Sequence, residues 1–200
     1  MITVIDYGAG NLQSVHNALA RVGTAVRVSR DPALLADATK LILPGVGHFG
    51  AMMRALDDLR LREAIVSRIA DGVPFLGICL GMQALYEGSD EAPGETGLGL
   101  LPGRIARFDT SLRVPHMGWN SVEPVRPSPM LREAGDLPYF YFANSFYAPI
   151  GPETSGVCTY GGQFAAVVEH DNMFGVQFHP EKSGSSGLRL LRNFVELPSC

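Results

Sequence analysis

Cysteine is scarce in this sequence: three residues in 200, Cys79, Cys158 and Cys200, an odd number set far apart. Such spacing makes neither a disulfide framework nor a zinc site, and a reducing cytoplasm is the expected compartment. Cys200 ends the chain and cannot form a prenylation box. Long apolar runs are missing as well. None approaches the ~20 residues of a membrane span, and Ile2 reads as the start of a strand rather than part of a signal peptide. No membrane partner is therefore expected. Nor is there a surplus of basic charge: 16 Lys and Arg stand against 20 Asp and Glu, for a formal net charge of -4. A nucleic-acid backbone finds no electrostatic footprint here. Lysine is rarest of the charged residues, at Lys40 and Lys182 alone, and Trp119 is the one tryptophan.

What is present describes a folded enzyme-sized unit. Hydrophobic residues make up 46% and charged residues 18%, which excludes a disordered chain. Residues 1–200 are expected to form one domain that buries ~70% of its unfolded surface, with no room for a second catalytic domain. Repeats and low-complexity tracts are absent.

Strand-like and helix-like segments alternate through the first half. Ile2 to Ile5, Ala25 to Val28, Leu41 to Leu43 and Pro74 to Ile78 are short β-rich runs. Between them, Asn11 to Val22 places Leu12, Val15, Leu19 and Val22 at helical spacing, with Gly23 as a stop. Pro32 to Ala38 reads as a short helix, Phe49 to Asp71 as a helix broken near Leu59, and Leu80 to Glu87 as the next helix. Repeated β-α-β units predict a parallel sheet with helices on both faces. The second half is dominated by strands: Arg104 to Phe108, Tyr139 to Tyr147, Gly156 to Tyr160, Gln163 to Glu169 and Met173 to Phe178. Gly161-Gly162 and Asp171-Asn172 are hairpin signals between three of these. Leu188 to Leu197 is a final amphipathic helix. Pro93 to Gly103 and Pro124 to Pro129 read as surface loops. The fold class expected is α/β, a mixed and largely parallel central sheet flanked by helices, with an antiparallel C-terminal strand region.

Gly77-Ile78-Cys79-Leu80-Gly81 is the most informative stretch. A buried strand runs straight into a helix, and a cysteine sits at the turn with glycines two residues to either side. That is the logic of a nucleophile elbow with sulfur in place of oxygen. The cysteine then lies at a helix N-terminus, where the dipole favours thiolate. The N–H of Leu80 becomes a candidate oxyanion donor. The same turn also suits a buried core cysteine whose glycines permit close packing, and the motif alone does not separate the two. Gln83 lies four residues on, on the same helix face, either holding a polar substrate or solvated.

A cysteine nucleophile needs a histidine base. His16 falls in the first helix, His48 follows a glycine loop, His116 lies in a loop and His170 flanks a hairpin turn. His179 differs, because Pro180 biases it to an extended conformation and Glu181 follows. In extended chain, residues two apart point the same way, so Glu181 can fix the His179 tautomer. The triad order is Cys79, His179, Glu181; the competing reading is a loop histidine beside a solvated glutamate. Leu41 to Gly47 is another strand running into a glycine loop. Beyond a strand C-terminus it could supply a second oxyanion N–H, from Val46 or Gly47, or be a plain turn. Gly8-Ala9-Gly10 is not a dinucleotide fingerprint, because Gln13 occupies the third glycine position. No cofactor and no metal are expected.

These residues resemble class I glutamine amidotransferases, through the Gly77–Gly81 elbow and His179-Pro180-Glu181. Three further stretches are similar to the glutaminase subunits of imidazole glycerol phosphate synthases: Asp6-Tyr7-Gly8-Ala9-Gly10-Asn11-Leu12, Pro115-His116-Met117-Gly118-Trp119-Asn120, and His179-Pro180-Glu181-Lys182-Ser183-Gly184. The resemblance runs from residue 2 to about 197. It implies a flavodoxin-like fold and hydrolysis of L-glutamine through a Cys79 thioester, with Gly47, Gln83, Ser145 and Phe146 binding the substrate. It implies a cyclase subunit as heterodimer partner, which uses the ammonia in histidine biosynthesis, with Asn11, Trp119 and Lys182 at the interface. Trp119 in the core and Asn11 as a helix cap are the competing readings. Another glutaminase, such as that of pyridoxal phosphate synthase, is the alternative within the class. One departure stands out: Asn144-Ser145-Phe146 replaces the family's usual His-Ser-Tyr.

Overall fold

The buried β-rich runs of the first half all enter one sheet. In this computed structural model, which describes residues 1–198, the order is β1 (Ile2–Ile5), α1 (Leu12–Arg21), β2 (Val26–Ser29), α2 (Pro32–Ala36) and β3 (Lys40–Gly45). Then come α3 (Phe49–Asp58), α4 (Leu61–Ala70), β4 (Phe75–Cys79) and α5 (Leu80–Gln83). Asn11 caps α1, its Oδ1 accepting the Ser14 N–H. His48 caps α3 in the same way through Nδ1 and the Gly50 N–H. The expected break near Leu59 is real: Arg60 adopts φ +55°, a left-handed conformation that ends one helix before the next begins.

The second half contributes β5 (Tyr86–Ser89), β6 (Ala92–Thr96), β7 (Leu101–Arg107), β8 (His116–Ser121), β9 (Glu123–Pro124) and β10 (Tyr139–Asn144). After these come β11 (Phe146–Tyr147), β12 (Thr154–Thr159), β13 (Gln163–His170), β14 (Met173–Val176) and α6 (Gly184–Glu196). Among the described residues the central sheet has the order β2-β1-β3-β4-β14-β13-β12-β9. The strands from β2 to β14 in that order are parallel, and β13, β12 and β9 close the far edge antiparallel. This is the mixed, largely parallel sheet expected from the sequence.

Several local expectations need correction. The helix expected over Leu80 to Glu87 stops at Gln83. The carbonyls of Ala84, Leu85 and Tyr86 accept from Leu98, Gly99, Leu100 and Leu101, so the chain there joins a sheet instead. Consequently Pro93 to Gly103 is not an open loop but holds β6 and the start of β7. These strands form a second sheet, β11-β7-β5-β6. His116 is not in a loop either: it opens β8, which pairs with β10 from His116↔Asn144 to Ser121↔Tyr139. The last helix starts at Gly184, a turn before Leu188, and Pro180–Lys182 forms a short 3-10 turn ahead of it.

Strand alternation divides the core between the two sheet faces. Leu41 and Leu43 pack with Phe49, Met53, Leu56 and Ile65 from α3 and α4. Ile42, Leu76 and Ile78 pack on the other face with Leu19, Leu190 and Phe194 from α1 and α6. Lys40, one of the two lysines, is buried and donates from Nζ to the Val195 and Leu197 carbonyls, capping the end of α6. Among the described residues no helix is long and apolar enough to cross a membrane, and no cluster of His, Cys, Asp and Glu could hold a metal. Cys200 lies outside the described residues.

Candidate active site

Three strand ends converge on Cys79. β4 delivers it directly; Gly45 at the end of β3 is its register partner, and Val176 of β14 pairs with Ile78. Cys79 adopts φ +55° and ψ −109°, a conformation costly for any residue with a Cβ. The elbow tolerates it because its neighbours are packed to the limit. A Cβ on Gly81 would lie 1.8 Å from the Leu43 carbonyl oxygen, and one on Gly77 would lie 2.5 Å from the Gly81 oxygen. The flanking glycines are therefore required by close approach, as the motif predicts.

His179 sits where β14 has ended, with its N–H donating to the Tyr141 carbonyl at 2.8 Å. It is 3% exposed. Its Nδ1 donates to Glu181 Oε1 at 2.9 Å, and the Glu181 side chain is 2% exposed. Burial works against a charged imidazole, but hydrogen bonds to Cys79 and Glu181, together with the negative charge of both, outweigh it and raise the pKa to about 10. At neutral pH His179 is thus held as imidazolium between a sulfur and a carboxylate. Ser183 supports this turn: its hydroxyl donates to the His179 carbonyl at 2.6 Å and accepts the Tyr141 N–H at 2.9 Å.

A cleft of about 240 Å³ opens on these groups. Its walls include Val46, Gly47, Leu80, Gln83, Ser145 and Phe146, so every residue expected to bind substrate or an oxyanion reaches one space. Gln83 is buried rather than solvated, with its Nε2 donating to the Phe146 carbonyl and to Gln177 Oε1, each at 3.0 Å. Gly47 has φ +99°, so the glycine loop needs that residue for its backbone. Val46 is already engaged. Its N–H donates to the Tyr7 hydroxyl, and that hydroxyl lies equally close, 3.2 Å, to the Val46 carbonyl. An oxyanion receives the Val46 N–H only if the Tyr7 bond is given up.

Of the three residues expected at a partner interface, Lys182 alone is on the cleft wall. It holds Nζ 5.7 Å above the Tyr141 ring. Trp119 is 55% exposed, which removes the core reading, and it meets Tyr141 edge-on at 6.3 Å. Asn11 spends its side chain on the α1 cap. Met117 and Tyr139 are also exposed, on the same face of the β8–β10 pair as Trp119.

Sequence reasoning passed over Tyr7, Gln177 and Glu91. Glu91 also walls the cleft, and its carboxylate caps α3 by accepting the Phe49 N–H at 2.7 Å. For Gln177 a signal existed, since it stands two residues before His179 in a run that reads as strand, although β14 itself stops at Val176. Of the remaining cysteines, Cys158 is buried in the core, and burial pushes its thiol up to about 12, which leaves it inert.

The family model described as glutamine amidotransferase class-I matches residues 3–197. The imidazole glycerol phosphate synthase subunit HisH of Salinibacter ruber is 48% identical over 212 residues, spanning 100% of this chain and 95% of that protein. Its counterpart of the same name from Methanothermobacter thermautotrophicus is 49% identical over 198 residues, spanning 98% of each. That of Thermus thermophilus is 48% identical over 189 residues, spanning 94% and 93%. A crystal structure of a glutamine amidotransferase superposes with a TM-score of 0.78 at 20% identity, covering 98% of this chain and 97% of that one, a likeness of fold.

Proposed function

The chain belongs to the class I glutamine amidotransferase family, and we propose that it is the glutaminase subunit of an imidazole glycerol phosphate synthase. The observation that carries this reading is the buried Cys79–His179–Glu181 array, whose sulfur and imidazole open on a small polar cleft. The named relatives, near half identical along their whole lengths, support the particular synthase. Residues 1–200 are read as one such domain, supported by the span of the family match.

In the proposed reaction the Cys79 thiolate attacks the side-chain amide carbon of glutamine. The carbonyl π electrons move to oxygen, and the oxyanion is held by the Leu80 N–H and an N–H of the Val46-Gly47 loop. His179, already protonated, gives its proton to the leaving nitrogen, and ammonia departs as the thioester forms. The now neutral His179 takes a proton from water, and the resulting hydroxide attacks the thioester. Glutamate leaves, the thiolate returns, and His179 is again imidazolium. Glu181 keeps the ring oriented throughout. Gly47, Gln83, Ser145 and Phe146 bind the substrate.

Ammonia so released needs a consumer. The reading assigns it to a cyclase partner that makes imidazole glycerol phosphate and aminoimidazole carboxamide ribotide in histidine biosynthesis, in the cytoplasm. The exposed apolar face carrying Met117, Trp119 and Tyr139, next to Lys182, supports docking beside the cleft. Asn11 belongs to the same proposed interface. The test is glutamate release from glutamine by the purified chain, with and without the cyclase, for wild type, Cys79→Ala and Trp119→Ala. Partner-stimulated release that vanishes in Cys79→Ala, and stimulation weakened in Trp119→Ala, is the expected result. No release from wild type under either condition, or full retention in Cys79→Ala, overturns the reading.

A further inference from the structure

Gln177 takes no part in the reaction described above, yet it lies fully buried beside the nucleophile. It follows Val176, whose register partner is Ile78, and its own N–H is anchored on the Ala166 carbonyl at 2.9 Å. Its side-chain polarity follows from a single group. The Phe146 carbonyl can only accept, so Gln83 must turn its NH2 toward it, at 3.0 Å. The same Gln83 nitrogen lies 3.0 Å from the Gln177 oxygen. Both Gln83 N–H groups are then used, and the Gln177 oxygen is committed. What remains of Gln177 is its NH2, and that group meets Cys79 Sγ at 3.6 Å.

We propose that Gln177 is a positioning residue for the nucleophile, its buried amide donating to Cys79 Sγ while its oxygen locks Gln83. The proposal rests on Cys79 being the nucleophile of glutamine hydrolysis. An N–H donor favours thiolate over thiol, because the charged acceptor makes the stronger bond. Gln177 is closed off from water, so a solvent donor has no route to replace it. The lock on Gln83 has a second effect: only the Gln83 oxygen is left for a ligand, which makes that amide an acceptor for a ligand N–H. Other groups around the sulfur are His179 and Glu181 on the turn after β14, Tyr7 after β1, and Glu91 and Lys182 on the cleft wall. None of them is a hydrogen-bond partner of Gln177, whose bonds go to Gln83, Cys79 and Ala166.

The experiment compares full-length wild type, Gln177→Met and Gln177→Glu. Alkylation of Cys79 by iodoacetamide is followed by mass spectrometry from pH 5 to pH 9, and glutaminase kinetics are measured with the partner present. Loss of a donor to a charged sulfur is expected to slow alkylation of Gln177→Met at pH 7 about tenfold and to move its profile to higher pH. The kinetics should show a higher KM as well as a lower kcat. Gln177→Glu is the closer isostere but puts an acceptor against the sulfur, so it should be impaired more than Gln177→Met. A merely structural role lowers stability and leaves the pH profile of alkylation in place. Profiles that superimpose on wild type, or a milder Gln177→Glu, overturn the proposal. If neither variant folds, the wild-type side-chain amide protons of Gln177 decide by NMR. Protection from exchange, with a shift on alkylation of Cys79, is expected; unprotected protons overturn it. The alkylation readouts need no glutamine, so failure of the glutaminase reading is seen separately, as absent turnover in wild type.

Discussion

Gln83 and Asn144 donate to the same acceptor, the carbonyl of Phe146, each at 3.0 Å. A backbone carbonyl has two lone pairs, and both are directed here. Asn144 is buried, so its bond is shielded from water, and the Ser145-Phe146 wall of the cleft is held from two sides. This answers what the replacement of His-Ser-Tyr by Asn144-Ser145-Phe146 does locally. The amide at 144 holds the main chain of that wall, and Phe146 contributes its carbonyl.

Glu181→Gln should uncouple the triad without unfolding it. The carboxylate is one of the groups that raise His179, so the variant's His179 pKa, read by NMR, should fall. With the ring less well oriented and less charged, kcat should drop by roughly 10²–10⁴. The raised value also links folding to pH. A base raised to about 10 contributes stability that is full below its unfolded value near 6.5 and is lost as pH rises through 10. Denaturant melts of wild type should weaken across that window, and those of Glu181→Gln should be flatter.

His116 makes the opposite prediction. Burial pushes it down to about 4, between the rings of Tyr160 at 4.1 Å and Phe142 at 4.9 Å. Above pH 6.5 it is neutral in both states and has no pH-dependent effect. As pH falls from 6.5 toward 4, the unfolded chain takes up a proton that the fold refuses, and stability declines. His116→Phe should remove that part of the acid sensitivity, as judged by the pH dependence of unfolding between pH 4 and pH 7.

Gly81→Ala places a methyl inside the Leu43 carbonyl. The opposing group is backbone and has no rotamer to escape through. We expect ~3 kcal/mol or more of destabilisation, or a displaced elbow with lost activity. A melt and an activity close to those of wild type would contradict the packing described.

Tyr7→Phe removes the hydroxyl that lies against both polar groups of Val46. With the Val46 N–H released, hydrolysis in the absence of the partner should rise. One oxyanion donor is worth ~10²–10³ in kcat, which bounds the gain. Unchanged or lower basal turnover in Tyr7→Phe would show that the bond does not restrain the loop.

Legible from the chain alone were the features with strong local signals. The parallel half rests on β-rich runs between amphipathic helices, and each run is a strand. The elbow rests on glycines whose absence of a Cβ is a packing necessity at Gly77 and Gly81. The His179–Glu181 bond expected from extended-chain periodicity is present, but Pro180–Lys182 is a 3-10 turn, so the turn rather than strand alternation brings Glu181 to the ring. What escaped was tertiary. Nothing local tells the chain to leave the helix after Gln83, because the partners of Ala84 to Tyr86 lie more than a dozen residues onward. Pro93 and Gly94 looked like loop residues, yet β6 holds them because it is an edge strand. Tyr7 and Gln177 reach the site only once strands distant in sequence are side by side.

The backbone of Cys79 carries a thermodynamic corollary. At φ +55° and ψ −109°, glycine is the residue with least to lose, whereas the proposed chemistry demands sulfur there. Cys79→Gly should therefore abolish turnover and yet melt at a higher temperature than Cys79→Ala, the two differing by about 1 kcal/mol or more. Folding alone gives position 79 no reason to be a cysteine; the proposed reaction does.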